Sequence, residues 1–296
     1  MASQRDIRRR ISSVESTRKI TKAMQMVAAA RLRRAQQHIE STRPYADNMM
    51  EFIGGLAKYL PAYASTSPLI QEHEELKTVA IIALTADRGL CGSFNSNIIR
   101  QALERYKEYS AQGKEIHLVA VGRKGISTLR FQGYSLHATY ADITDRSAFL
   151  DAQALAHRVA WRYSTNQVDR VHLIYNAFKS AMEQQVTDEV ILPIQEDLAA
   201  KYSPKEGGSY MDFIFEPSED TILADLIPSY LEITIYRALL ESMASEYGAR
   251  MTAMASASDA ANDMIDELTL AMNRLRQTSI TNEILEVVAG ADAVSG

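Results

Sequence analysis

The sequence predicts an α/β protein of two parts. A long antiparallel two-helix coiled coil is made by the N- and C-terminal segments, and an α/β domain is inserted between them. Three observations predict this. The first 43 residues contain neither Pro nor Gly and space their apolar residues at helical steps. The last 68 residues contain no Pro and carry an apolar series with a mean step of 3.5. Between the two, short apolar runs alternate with helical patterns.

The first helix is read from Ile7, Ile11, Val14, Met24, Val27, Ala28, Leu32, Ala35 and Ile39. The pattern resumes at Met49, Phe52, Ile53 and Leu56. Pro44 lacks a donor and its ring clashes with the preceding turn, so it is expected to kink the helix or break it in two. Gly54, Gly55 and Pro61 mark the far end, and residues 1–60 form the first segment.

Residues 76–216 read as the inserted domain. KTVAIIAL (77–84), EIHLVAVG (115–122) and VDRVHLIYNAF (168–178) are short apolar runs that end in turns. Helical patterns near 94–110 and 146–165 separate them, which implies a parallel sheet covered by helices, Rossmann-like in plan. VTDEVILPI (186–194) and YMDFIFEP (210–217) are further candidate strands.

The closing segment, 221–290, is the strongest signal. Leu240, Met243, Tyr247, Met251, Met254, Ala257, Ala261, Met264, Leu268, Met272 and Leu275 make ten steps over 35 residues. That period belongs to a left-handed coiled coil. A helix from Tyr230 to Val288 would be about 90 Å long at about 1.5 Å per residue. A compact domain cannot enclose it, so part is expected to project. Both long helices leave the middle of the chain, so they should lie antiparallel, with Ala257 and Ala261 allowing close approach.

Composition narrows the function. The 296 residues are 46% hydrophobic and 23% charged, which suits a folded protein rather than a disordered one. No run of eighteen apolar residues occurs, so membrane association is expected only through a partner. Cys91 is the single cysteine, which excludes an internal disulfide and points to a reducing compartment. The six scattered histidines show no zinc spacing, and no metal or other cofactor is expected. Residues 1–43 carry eleven Lys/Arg against three Asp/Glu, net +8, on a chain whose total is −5. Asp6, Glu15 and the unbroken helical spacing argue against a transit peptide there.

Arg8, Arg9, Arg10, Arg18, Lys19, Lys22, Arg31, Arg33 and Arg34 form a basic stripe on the first helix. Solvent, an acidic protein surface and nucleic acid all fit it, although no zipper, zinc or helix-turn-helix pattern supports the last. The loop DRGLCG (87–92) follows the first strand, where α/β folds often hold phosphate. It matches neither the phosphate-loop pattern nor G-x-G-x-x-G, and a strand-to-helix turn is the favoured reading. VGRKG (121–125) reads the same way. Cys91 has no partner suited to nucleophilic catalysis and reads as a small apolar residue. The tail RQTSITNEILEVVAGADAV (276–294) lacks Lys and Arg after Arg276 and suits an apolar sleeve formed by another protein.

Four segments together resemble the gamma subunits of F-type ATP synthases. They are IRRRISSVESTRKITKAMQMVAAARLRRAQ near the start, RPYA at 43–46, DRGLCG at 87–92 and the closing RQTSITNEILEVVAGADAV. The likeness spans essentially the whole chain in the family's order. It implies a central-stalk rotor with no catalytic site, turning inside a ring of alternating alpha and beta subunits. It implies an epsilon subunit and a membrane c ring as further partners, one copy per complex, and no nucleic acid. It also implies a peripheral location on the cytoplasmic face of a bacterial inner membrane. By the same resemblance Met24 faces the lever of a beta subunit, which the basic stripe meets. Arg250, Arg276, Gln277 and Thr281 engage the ring. Ile284, Leu285, Val287 and Val288 sit in an apolar bearing. The paired cysteines of plant chloroplast members are absent, so their redox switch is not expected here.

Overall fold

A computed structural model describes residues 4–56, 68–144, 147–194 and 219–295. The elements run α1 (Gln4–Leu56), β1 (Thr78–Leu84), α2 (Phe94–Ala111), β2 (Glu115–Val121), α3 (Arg123–Phe131), β3 (Ala138–Tyr140), α4 (Ala148–Ser164), β4 (Arg170–Phe178), β5 (Gln184–Leu192) and α5 (Glu219–Ser295). They make two compact units. Met1–Ala28 and Arg250–Gly296 form one, and Ala29–Ala249 the other.

The first unit is a helix pair with a heptad seam. On α1, Ile7, Ile11, Val14, Arg18, Thr21, Gln25 and Ala28 are buried or half-buried at alternating steps of four and three. On α5 the same alternation runs through Met254, Ser258, Ala261, Ile265, Leu268, Met272 and Leu275. The seam differs from the sequence reading in three places. Val27 and Met264 are 54% and 50% exposed, and Ser258 and Ile265 take seam positions ahead of Ala257 and Met264. The reason is that several seam positions are polar, so following hydrophobicity alone slips by one residue. Arg18 is half-buried and donates from Nη1 to Asn262 Oδ1 at 3.0 Å, which ties the two helices.

The second unit is a three-layer α/β sandwich crossed by the inner parts of α1 and α5. Its sheet order is β3-β2-β1-β4-β5. β1 pairs in parallel with β2 and β4, and β2 with β3. β5 runs antiparallel to β4, because only five residues separate Phe178 from Gln184 and a parallel crossover needs a dozen or more. The expected parallel sheet therefore carries one antiparallel edge strand. Successive β1 residues face opposite layers. Val79, Ile81 and Ala83 pack on α2 and α3 with Phe94, Ile98 and Leu129. Ala80, Ile82 and Leu84 pack on α4 and α5 with Leu155, Tyr163, Leu231 and Leu239.

Within this unit the two long helices pack antiparallel. The Arg31 guanidinium lies 5.8 Å from the Tyr247 ring centroid, and further along α1 His38 Nε2 meets the Tyr236 hydroxyl at 3.1 Å. Pro44, where a kink or a break was expected, lies inside α1. Proline removes one ladder bond, and packing holds the helix on both sides, through Leu32 and Ala35 before it and Met49 after it. Gly248 does not interrupt α5: a Cβ there would come within 3.1 Å of the Ala181 carbonyl oxygen. β3 and α3 were not anticipated from the sequence. The candidate strand at 210–217 and the Pro61 boundary lie outside the described residues.

Candidate coupling surfaces

The sheet order reverses between β1 and β4, and α/β folds bind ligands in the crevice at such a point. At the neighbouring β2–α3 turn the chain closes the helix N-terminus with its own groups. The first three N–H groups of α3 are already used. Arg123 N–H donates to Asp87 Oδ1 at 2.9 Å, Lys124 N–H to the Ala86 carbonyl at 3.0 Å, and Gly125 N–H to Thr85 Oγ1 at 2.9 Å. Asp87 Oδ2 accepts from Asp142 N–H at 3.0 Å, and Arg123 pairs with Asp142 at 2.6 Å. A carboxylate of the chain thus caps the N-terminus of α3.

The packing demands the glycines of VGRKG. Gly122 has φ +93, and a Cβ there would lie 2.1 Å from the Thr85 carbonyl oxygen. A Cβ on Gly125 would lie 2.5 Å from Thr85 Oγ1. In DRGLCG, Leu90 (φ 64) and Gly92 (φ 57) are left-handed. Cys91 is 1% exposed, and its sulfur accepts from Asn95 Nδ2 at 3.2 Å. The loop is a structural brace between β1, α2 and α3. Among the described residues no group of His, Cys, Asp and Glu is arranged to hold a metal ion.

The exposed chemistry of the first unit lies on its two helices. Met24 is half-buried beside the seam. Arg8, Arg9, Arg10, Lys19 and Lys22 are exposed. Counted from the heptad seam, Arg8 and Lys22 lie on one flank and Arg10 on the other, so the charge is a sleeve more than a stripe. Arg276, Gln277 and Thr281 are exposed, and the Thr281 hydroxyl donates to the Gln277 carbonyl at 2.9 Å. Every residue from Arg276 to Gly290 is exposed, and the run includes Ile284 (58%), Leu285 (60%), Val287 (72%) and Val288 (52%). Arg250 differs from these. It is 7% exposed and engaged inside the chain. Arg31, Arg33 and Arg34 are exposed in the second unit.

Sequence reasoning missed a buried polar group in the second unit. Asp188 meets His172 Nδ1 at 2.7 Å and pairs with Arg105, and the Tyr109 hydroxyl meets His172 Nε2 at 2.9 Å. The four come from α2, β4 and β5, and no spacing in the sequence links them.

Residues 3–294 match the protein family described as ATP synthase. The ATP synthase gamma chain of Moorella thermoacetica is 45% identical over 294 residues, covering 99% of this chain and 100% of its own. That of Geobacter metallireducens is 42% identical over 298 residues, with 100% of both chains covered. This chain belongs to the ATP synthase gamma chain family. A gamma chain is a rotor subunit of the central stalk and has no catalytic site of its own; the enzyme is the whole complex. Among solved structures, the Tetrahymena thermophila mitochondrial ATP synthase central stalk and c-ring contains a similar chain. Its TM-score is 0.59 at 28% identity, over 81% of this chain and 99% of that one. A Euglena gracilis mitochondrial ATP synthase chain shares the fold with a TM-score of 0.66 at 18% identity, over 98% of this chain and 94% of that one. The partners of a gamma chain are other components of this membrane-associated complex. Among the described residues no helix is long and apolar enough to cross a membrane.

Proposed function

We propose a division of labour along this gamma chain: segments 1–60 and 221–290 form the shaft that couples, and 76–216 forms the base that seats it. The shaft turns inside the ring of alpha and beta subunits. The base sits with one epsilon subunit on the c ring, at the cytoplasmic face of a bacterial inner membrane. One gamma chain serves each complex, and proton flow through the c ring drives it.

Met24 presses on a beta-subunit lever, and the cations from Arg8 to Lys22, with Arg31, Arg33 and Arg34, meet acidic surface there. Arg276, Gln277 and Thr281 make polar contacts with the ring, and Ile284, Leu285, Val287 and Val288 run in an apolar bearing. Arg250, being buried, acts through the helix it steadies. Coupling requires that these contacts differ among the catalytic-site states, since only a difference in interaction shifts an equilibrium.

The observation that carries this reading is the exposed run from Arg276 to Gly290. Four large aliphatic side chains there are more than half exposed in the isolated chain, on the stretch of α5 beyond Leu275, the last half-buried residue of its seam series. The double substitution Ile284→Ser, Val288→Ser tests it. Because both sites are exposed, the stability of the isolated chain should change by no more than about 0.5 kcal/mol. Assembly with the alpha and beta ring, measured by reconstitution of ATP hydrolysis, should weaken. Unchanged reconstitution would remove the bearing from the proposal.

A further inference from the structure

Within the second unit α5 meets the sheet where β1 and β4 end. The Ser242 hydroxyl donates to the carbonyl of Leu84, the last residue of β1, at 3.4 Å. The Ser245 hydroxyl donates to the carbonyl of Asn176, near the end of β4, at 3.0 Å. Gly248 lies against the turn between β4 and β5, where a Cβ would come within 3.1 Å of the Ala181 carbonyl oxygen. β1, β4 and β5 are neighbours in that order in the sheet. Small residues at three-residue steps along α5 therefore meet consecutive positions across the sheet.

The match has a geometric cause. Three residues of an α-helix rise about 4.5 Å, at about 1.5 Å per residue. Neighbouring strands lie about 4.8 Å apart. A helix laid across strand ends thus meets a new strand every three residues. Only small side chains let the backbone come close enough, and Ser242 and Ser245 are both buried there. Asn176 is buried as well, and its Nδ2 donates to the Phe94 carbonyl of α2 at 3.3 Å, which fixes β4 in turn. The sequence on either side penalises a change of register. A one-residue shift one way would bring Glu246 to the place of Ser245, and the other way would bring Glu241 to the place of Ser242. A carboxylate facing a carbonyl sets acceptor against acceptor. Apolar burial is non-directional and tolerates rolling and sliding, whereas these hydrogen bonds hold one orientation.

We propose that Ser242, Ser245 and Gly248 are positioning residues that index α5 on the sheet and stop it from rolling about its own axis under load. They carry torque between the base, 76–216, and the shaft segment 221–290. This role rests on the division of labour given above. None of these side chains touches a catalytic site; they act through the helix they hold.

Two variants of the full-length chain in the complete complex test the role. Ser242→Ala, Ser245→Ala removes both donors and keeps the packing. Gly248→Leu lifts α5 from the β4–β5 turn. Amides of residues 238–248 should exchange about tenfold faster for each hydrogen bond lost. In the membrane-free complex with alpha and beta chains the base turns without load, so ATP hydrolysis should match the parent. In vesicles, with the c ring attached, protons pumped per ATP hydrolysed should fall, most in Gly248→Leu and measurably in the alanine pair. A merely structural defect would lower hydrolysis and pumping together and leave their ratio unchanged. If Gly248→Leu does not assemble, the alanine pair decides. A parental pumping ratio in the assembled variants would overturn the indexing role and leave shaft and base standing. Loss of hydrolysis in the assembled membrane-free complex would overturn both.

Discussion

Asp188 is among the most heavily committed carboxylates of the α/β unit. Its side chain is 9% exposed. Burial alone would raise its pKa, but hydrogen bonds from His172 and Arg105, with their charges, hold it down from the ordinary 3.8 to about 2. A carboxyl whose folded pKa is depressed stabilises the fold above its unfolded pKa, and loses that contribution as pH falls through the folded one. The contribution is about 2 kcal/mol at neutral pH and fades between about pH 4 and pH 2. Asp188→Asn leaves Arg105 without its buried acceptor, so the α/β unit should lose about 3 kcal/mol at pH 7 in urea unfolding. The acid limb of stability against pH should also flatten in that window. A variant whose pH dependence matches the parent would show that Asp188 is not the titrating group. None of this was legible from the sequence: Arg105, His172 and Asp188 lie on three elements and only the fold brings them together. Asp87 differed, because its place in a strand-to-helix loop marked it for inspection, although its role in closing that loop needed coordinates.

Among the elements, the terminal helix pair was readable because its period is nearly pure, and it was misread where the seam turns polar. Arg18, Thr21, Gln25 and Ser258 occupy positions that a hydrophobic count passes over, and Met264 beside Ile265 drew the reading onto the exposed face. Polar seam residues cost stability and define register, which a shaft held in one alignment requires. β3 was missed because three half-exposed residues make no apolar run, and α3 because its nine residues bury only Gly125 and Leu129. β1, β2 and β4 were found because buried parallel strands read as unbroken apolar runs. The small seam residue Ala261 is 7% exposed, and Ala261→Phe should overpack the pair at a cost of about 1–3 kcal/mol. Hydrogen exchange should quicken for amides of residues 7–28 and 254–275 and stay unchanged in the β-strands. Unaltered exchange in the helix pair would mean that Ala261 does not set the approach of the two backbones.

At the scale of the whole molecule, the division we propose for this gamma chain is between a mechanical part and a seating part. Its charge is divided between the two terminal segments, with +8 on residues 1–43 and −6 on residues 221–290. Basic residues around one exposed helix favour acidic neighbours and fast, oriented assembly. We propose that the terminal helix pair turns relative to the surrounding subunits whenever ATP is hydrolysed or made. Cys91 is the only native cysteine, so Cys91→Ser gives a cysteine-free background in which Met24→Cys places one thiol beside the seam. The most direct measurement is ATP hydrolysis by the assembled complex after that thiol is oxidised to a single cysteine introduced in the facing lever of a beta subunit. The disulfide should abolish nearly all hydrolysis, and reduction should restore it. Full activity in complexes shown by gel to be cross-linked would show that ATP hydrolysis needs no such turning.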